Sequence, residues 1–162
     1  MSRIYYSDEA EMLAHKAWHT LKLTPPVDLY RVAESLKLDI SEREFVDAID
    51  GVYVRLPDGS GCIGINTIYT KPVSRRRFTL AHEIGHHLLS RKISPGKQLF
   101  FVDSPKQNSS MMEKACDKFA ALLLMPDDLV KLYYPELEHN QENRLVILSD
   151  RFGVSAWAMR RR

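Results

Sequence analysis

Apolar residues in the first part of the chain recur at helical spacing. Ala10, Leu13, Ala14, Ala17 and Leu21 share one face over residues 8–23, with Ser7 or Asp8 placed to cap the start. Thr24-Pro25-Pro26 breaks that segment, and Leu29, Val32, Ala33 and Leu36 predict a second amphipathic helix. From Leu38 the period changes. Leu38 and Ile40 alternate with polar neighbours, residues 52–56 read as a strand, Pro57-Asp58-Gly59-Ser60-Gly61 as a turn, and residues 62–66 as the antiparallel return. Helical spacing resumes over residues 74–90 and 110–125, on either side of a polar loop carrying Ser94-Pro95-Gly96 and Asp103-Ser104-Pro105. Two short helices, near residues 143–152 and from Ser155 onward, end the chain. Helices, then strands, then helices predict an α+β domain with a small antiparallel sheet, not a βαβ alternation. No internal repeat or low-complexity tract interrupts the pattern.

Composition narrows the class without naming an activity. A chain of 162 residues, 44% of them hydrophobic, suits one domain with a core that needs no metal or disulfide staple to form. The expected division is residues 1–70 for the N-terminal helices and sheet, 71–126 for two long helices, and 127–162 for the C-terminal helices. Lys and Arg total 23 against 21 Asp and Glu, so the net charge of +2 argues against a protein that coats nucleic acid. No apolar run is long enough to cross a bilayer, and residues 1–9 lack the apolar stretch of a signal peptide. Cys62 and Cys116 make no disulfide framework, so a reduced, cytoplasmic setting is expected.

The chemistry lies in the third helical segment, His82-Glu83-Ile84-Gly85-His86. Two histidines four residues apart rise about 6 Å along a helix and point the same way, so both imidazoles can meet one metal ion. Zinc suits neutral imidazole in tetrahedral geometry, and a carboxylate beside such a site is the general base of a metalloprotease. Phe78, Ala81, Ile84, Leu88 and Leu89 give the same helix an apolar side by which it can be anchored. His15 and His19 have the same spacing, but no carboxylate follows the first, and they read as helix surface. For a third ligand the candidates are Asp103, Glu113, Asp117 and His139; a metzincin pattern is excluded because Leu89 and Lys92 stand at its glycine and histidine positions. The segment Glu113-Lys114-Ala115-Cys116-Asp117 is the most persuasive. Two like charges at i, i+4 destabilise a helix unless cations intervene. A metal on Glu113 and an imidazole N–H on Asp117 would remove the repulsion, and Lys114 and Lys118 would relieve it in part without any metal.

Arg77-Phe78-Thr79-Leu80-Ala81-His82-Glu83-Ile84-Gly85-His86, followed by Glu113-Lys114-Ala115-Cys116-Asp117-Lys118-Phe119-Ala120-Ala121-Leu122-Leu123-Leu124-Met125-Pro126, resembles the ImmA/IrrE family of metallopeptidases. The resemblance implies a minimal zincin-like fold, a small sheet with two zinc-bearing helices. It further implies Zn2+ as cofactor, His82, His86 and Glu113 as its ligands, Glu83 as catalytic base, and Asp117 as the partner of a ligand histidine. Asp117 stands where the family usually has Asn, and Cys116 where it usually has Ala. Members are implied to cleave DNA-binding repressors, so the expected partner is a helix-turn-helix repressor. Substrate pairing along the strand 62–66 is implied in the same way.

Peptide-bond hydrolysis is therefore the expected reaction, with Glu83 accepting a proton from water and later passing one to the leaving amine. Tyr69, Tyr133, Tyr134 and His87 are candidate oxyanion donors. Two other functions compete. Residues 145–156 have a helix-turn-helix cadence followed by Arg160, Arg161 and Arg162, the makings of a DNA-binding module. A zinc-containing protein could also bind its partner without turnover. Lys71, Arg75, Arg76 and Arg77 just before the zinc helix read either as a solvated loop or as a docking site for an acidic partner segment.

Overall fold

A computed structural model of the protein describes residues 6–46, 48–68, 71–104, 110–134 and 141–162. The helices α1 (Tyr6–Leu21) and α2 (Leu29–Ser35) lead into strands β1 (Leu38–Arg43), β2 (Gly51–Arg55) and β3 (Gly61–Asn66). The long helix α3 (Val73–Ile93) follows, then strand β4 (Leu99–Asp103) and helices α4 (Met111–Leu124), α5 (Asp127–Tyr133), α6 (Gln141–Phe152) and α7 (Ala156–Arg160). The class is α+β, compatible with a small zincin-like fold. Side-chain caps mark several starts: Asp28 accepts from the amides of Tyr30 and Arg31, and Ser155 from that of Ala158.

The sheet is mixed rather than antiparallel, in the order β1-β3-β2-β4. β2 and β3 form the expected hairpin, with Tyr53 opposite Ile63. β1, however, runs parallel to β3, with Leu38 opposite Gly61 and Arg43 opposite Asn66. Alternation marks a strand and its buried face but carries no information about which strand lies beside it. β4 falls in the stretch read as a polar loop and pairs antiparallel with β2, Phe101 opposite Tyr53. Its short apolar run, Leu99-Phe100-Phe101-Val102, was masked by the turn residues on both sides.

α3 crosses one face of the sheet and packs on α4, which in turn packs on α1. Tyr53, Ile63 and Ile65 from the sheet meet Leu80, Ala81 and Ile84 from α3 in a single core that extends through Phe119, Leu123 and Leu124. Every residue from Thr79 to His87 is buried, so the middle of α3 lies between sheet and α4. Gly85 allows this: a β-carbon there would sit 3.1 Å from the Phe119 ring and 3.2 Å from the Cys116 α-carbon.

Three of the four basic residues leading into and opening α3 are engaged by the fold. Lys71 Nζ lies 2.6 Å from Oδ1 of buried Asp50, whose other oxygen accepts from Arg75. Arg77 donates to the carbonyls of Gly153 and Val27 at 3.0 and 2.9 Å, tying α3 to the turn before α7 and to the loop before α2. The C-terminal arginines are similarly engaged. Arg162 donates to the Met125 carbonyl and pairs with Asp127, and Arg161 lies over the Trp157 ring. α7, which follows the turn at Gly153, is 5 residues long. His15 and His19 are exposed on α1. Among the described residues no helix is long and apolar enough to cross a membrane.

Candidate metal centre

His82 and His86 lie one turn apart on α3, and their Nε2 atoms approach to 3.1 Å. Glu113 comes from the first turn of α4, where the Ser110 side chain caps the helix by accepting from the Glu113 amide at 3.2 Å. Its carboxylate spans both rings, Oε2 at 3.0 Å from His82 Nε2 and Oε1 at 3.3 Å from His86 Nε2. These three contacts are close to the edge of a tetrahedron with metal–ligand bonds of ~2.0–2.1 Å, which is about 3.4 Å. Two imidazole nitrogens and a carboxylate facing one point form a set of lone pairs that a cation satisfies better than a single shared proton.

The two rings are supported differently. Asp117, one turn after Glu113, accepts from His82 Nδ1 at 2.9 Å, which leaves Nε2 free to face the centre. His86 Nδ1 is buried with no partner among the described residues. Its ring instead stacks on Phe101 of β4, centroids 4.3 Å apart and planes 22° apart. Phe101 was missed from the sequence because β4 was; the Phe100-Phe101-Val102 run was the available signal.

Burial pulls the His82 pKa down, but the Asp117 and Glu113 carboxylates outweigh it and raise the imidazolium to about 10. Hydrogen bonds from His82 and His86 hold Glu113 down at about 2, so that carboxylate is anionic. Burial lowers His86. Cys116 is also near: one ligand atom each from His82, His86 and Cys116 fall within 4.8 Å of one another. Burial pushes the Cys116 thiol far above its ordinary value, and a neutral thiol is a poor ligand. Glu113, already ionised and in contact with both rings, is the better third donor.

Glu83 projects from the same helix and is fully buried, with neither carboxylate oxygen partnered among the described residues. Burial pushes its pKa up to about 8. Gly51 at the start of β2 makes room for it, since a β-carbon there would lie 2.9 Å from Glu83 Oε1. Two buried carboxylate oxygens without a partner are costly in a fold and mark Glu83 as a candidate functional group.

A cleft of about 520 Å³ opens beside His82 and reaches Thr79, Asp103 and Asp117. Asp103 therefore lies at the cleft, not among the atoms that contact the imidazoles; burial raises its pKa. Of the candidate oxyanion donors, His87 is buried and hydrogen-bonded through Nδ1 to the Tyr53 hydroxyl at 2.8 Å. Tyr133 packs on Phe152 beneath Arg151, and Tyr134 lies under Arg144. None of these three lines the cleft; Tyr69 and the candidate ligand His139 lie outside the described residues. The expectation for the strand 62–66 is also corrected. β3 is paired on both sides, by β1 and β2, so it has no edge to offer, whereas β4 is the outer strand next to the metal centre.

Residues 33–162 match the sequence model of Peptidase_M78, described as the IrrE N-terminal-like domain. The chain belongs to this family. The match spans α3 and α4 with every residue of the centre, and it makes the protein a metallopeptidase-type hydrolase whose substrate is a protein. No curated protein matches the chain significantly.

Proposed function

We propose that the chain is a single-domain, cytoplasmic, zinc-dependent endopeptidase that cleaves a helix-turn-helix DNA-binding repressor, relieving repression of a mobile element or stress genes. His82, His86 and Glu113 hold the metal, Asp117 positions His82, and Glu83 is the general base. The observation that carries this reading is the convergence of His82 Nε2, His86 Nε2 and the Glu113 carboxylate within 3.0–3.3 Å, beside a buried carboxylate with no partner of its own. Bound zinc would polarise the scissile carbonyl and acidify water at the centre.

The protein's own groups do the rest. Asp117 keeps the His82 proton on Nδ1, so Nε2 presents a lone pair. One Glu83 carboxylate oxygen takes a proton from the attacking water as its oxygen bonds to the carbonyl carbon. The same carboxyl then delivers that proton to the amide nitrogen as the C–N bond breaks, leaving Glu83 ionised again. Edge pairing along β4 would bring an extended substrate segment past the centre. Incubation of the zinc-loaded protein with a purified candidate helix-turn-helix repressor tests the reading. Wild type should consume intact repressor; Glu83→Gln should keep stoichiometric zinc and leave the repressor whole. Equal cleavage by Glu83→Gln would refute the role of Glu83.

A further inference from the structure

The cleft beside His82 has one wall that the hydrolytic chemistry does not use. Phe78 of α3 faces Val154, Trp157 and Ala158, which come from the turn before α7 and from α7 itself. Trp157 is 67% exposed, a large apolar surface next to a donor imidazole. Arg161 lies over its ring at 4.6 Å, which restricts where the indole can turn.

This wall is anchored to the helix that carries Glu113. Met159 is buried, Ser155 caps α7, and Arg162 Nε donates at 2.8 Å to the carbonyl of Met125, the residue that ends α4. The wall therefore stands at a fixed distance from the metal centre. The cleft also has an acidic rim, Asp103 and Asp117, while its third carboxylate, Asp50, is neutralised by Lys71 and Arg75. That rim disfavours an acidic occupant, and the wall favours an apolar one. About 520 Å³ accommodates a large side chain with its flanking backbone.

We propose that this cleft is the specificity pocket of the enzyme, receiving a bulky apolar side chain of leucine or phenylalanine size next to the scissile bond, with Trp157 and Ala158 setting the preference. The proposal rests on the endopeptidase reading above. His82 lines both the cleft and the metal centre, so the cleft opens directly beside the point where the bond would be cut.

Amino-acid hydroxamates test this without a known substrate, because the hydroxamate engages the metal and the side chain probes the cleft. Calorimetric titration of the zinc-loaded protein compares leucine hydroxamate with glycine hydroxamate, which differ only in the side chain. Burying a leucine side chain predicts binding tighter by roughly tenfold or more. In Trp157→Ala, and in Ala158→Phe, which fills the cleft, that ratio should fall to within about threefold of unity. Glycine hydroxamate binding to each variant reports that its metal centre is still formed. Equal affinities of the two hydroxamates in wild type, or an undiminished ratio in both variants, overturn the pocket and leave the metal centre standing. Failure of both hydroxamates to bind wild type overturns the metal-site reading and the pocket with it.

Discussion

Gly85→Ala separates two effects that act in opposite directions at the centre of the molecule. In an isolated helix the change stabilises by about 1 kcal/mol, because alanine loses less backbone freedom than glycine. Here the added methyl would lie 3.1 Å from Cδ1 of Phe119, 3.2 Å from the Cys116 α-carbon and 3.4 Å from the Cys116 β-carbon. Comfortable carbon contacts begin at ~3.5 Å, and one of these neighbours is main chain that no rotamer change can move. Overpacking of this kind costs about 1–3 kcal/mol, which outweighs the gain in propensity. The metal-free protein should therefore lose about 1 kcal/mol, a drop in Tm of roughly 2–4 °C for a chain of this size. Relief comes by moving α4 a few tenths of an ångström away from α3, and α4 carries Glu113. Its carboxylate, now 3.0 and 3.3 Å from the two imidazoles, would be displaced from both. Zinc affinity should fall roughly tenfold, a larger effect than the change in fold stability, because a metal site tolerates little misplacement. Thermal denaturation of the metal-free protein and competition against a chromogenic chelator measure the two quantities separately. A rise of a few degrees in Tm with unchanged zinc affinity would show that the helices do not meet closely at Gly85.

Asp117→Ala frees His82 Nδ1 and should weaken zinc binding by ~10–100-fold, with Asp117→Asn intermediate; chelator competition measures both. Asp50→Ala removes the buried carboxylate between Lys71 and Arg75 and should destabilise the fold by about 3 kcal/mol, read from urea denaturation. In the metal-free protein, Glu83 at about 8 and His82 at about 10 keep protons that the unfolded chain releases near 4.5 and 6.5. Their stabilising contribution is present at low pH and is lost as pH rises through those values. His87, held near 4 by burial, and Glu113, held near 2 by the two histidines, contribute stability that is lost as pH falls below 6.5 and 4.5. Tm of the metal-free protein should accordingly fall from pH 7 to pH 9, and Glu83→Gln should flatten the part below pH 8; a rising Tm over that interval would contradict these protonation states.

Much of the fold is legible in residue spacing. The apolar stripes of α1, α3 and α4 are long and regular, so periodicity alone identifies them and the face each buries. The hairpin is announced by Pro57-Asp58-Gly59-Ser60-Gly61 between two alternating runs. β4 was not legible: 5 residues between turn signals carry too little pattern, and the strand owes its existence to the free edge of β2. The arginines at the start of α3 are illegible for a related reason. A cluster of charges in sequence reads as solvent-facing, yet Asp50 and the carbonyls of Gly153 and Val27, all distant in sequence, draw Arg75 and Arg77 into the fold.

At the candidate centre the division follows the range of each interaction. His82, Glu83 and His86 are brought together by one helical turn, a local geometry that any helix imposes, so their relation is written in the chain itself. Like-charge spacing nominated Glu113 and Asp117 for the same site, but could not set a distance. Close packing of α4 on α3 across Gly85, the cap at Ser110 and the Phe101 stack decide how far each carboxylate and ring stands from the others. Those distances depend on contacts between residues remote in sequence, and no periodicity along the chain encodes them.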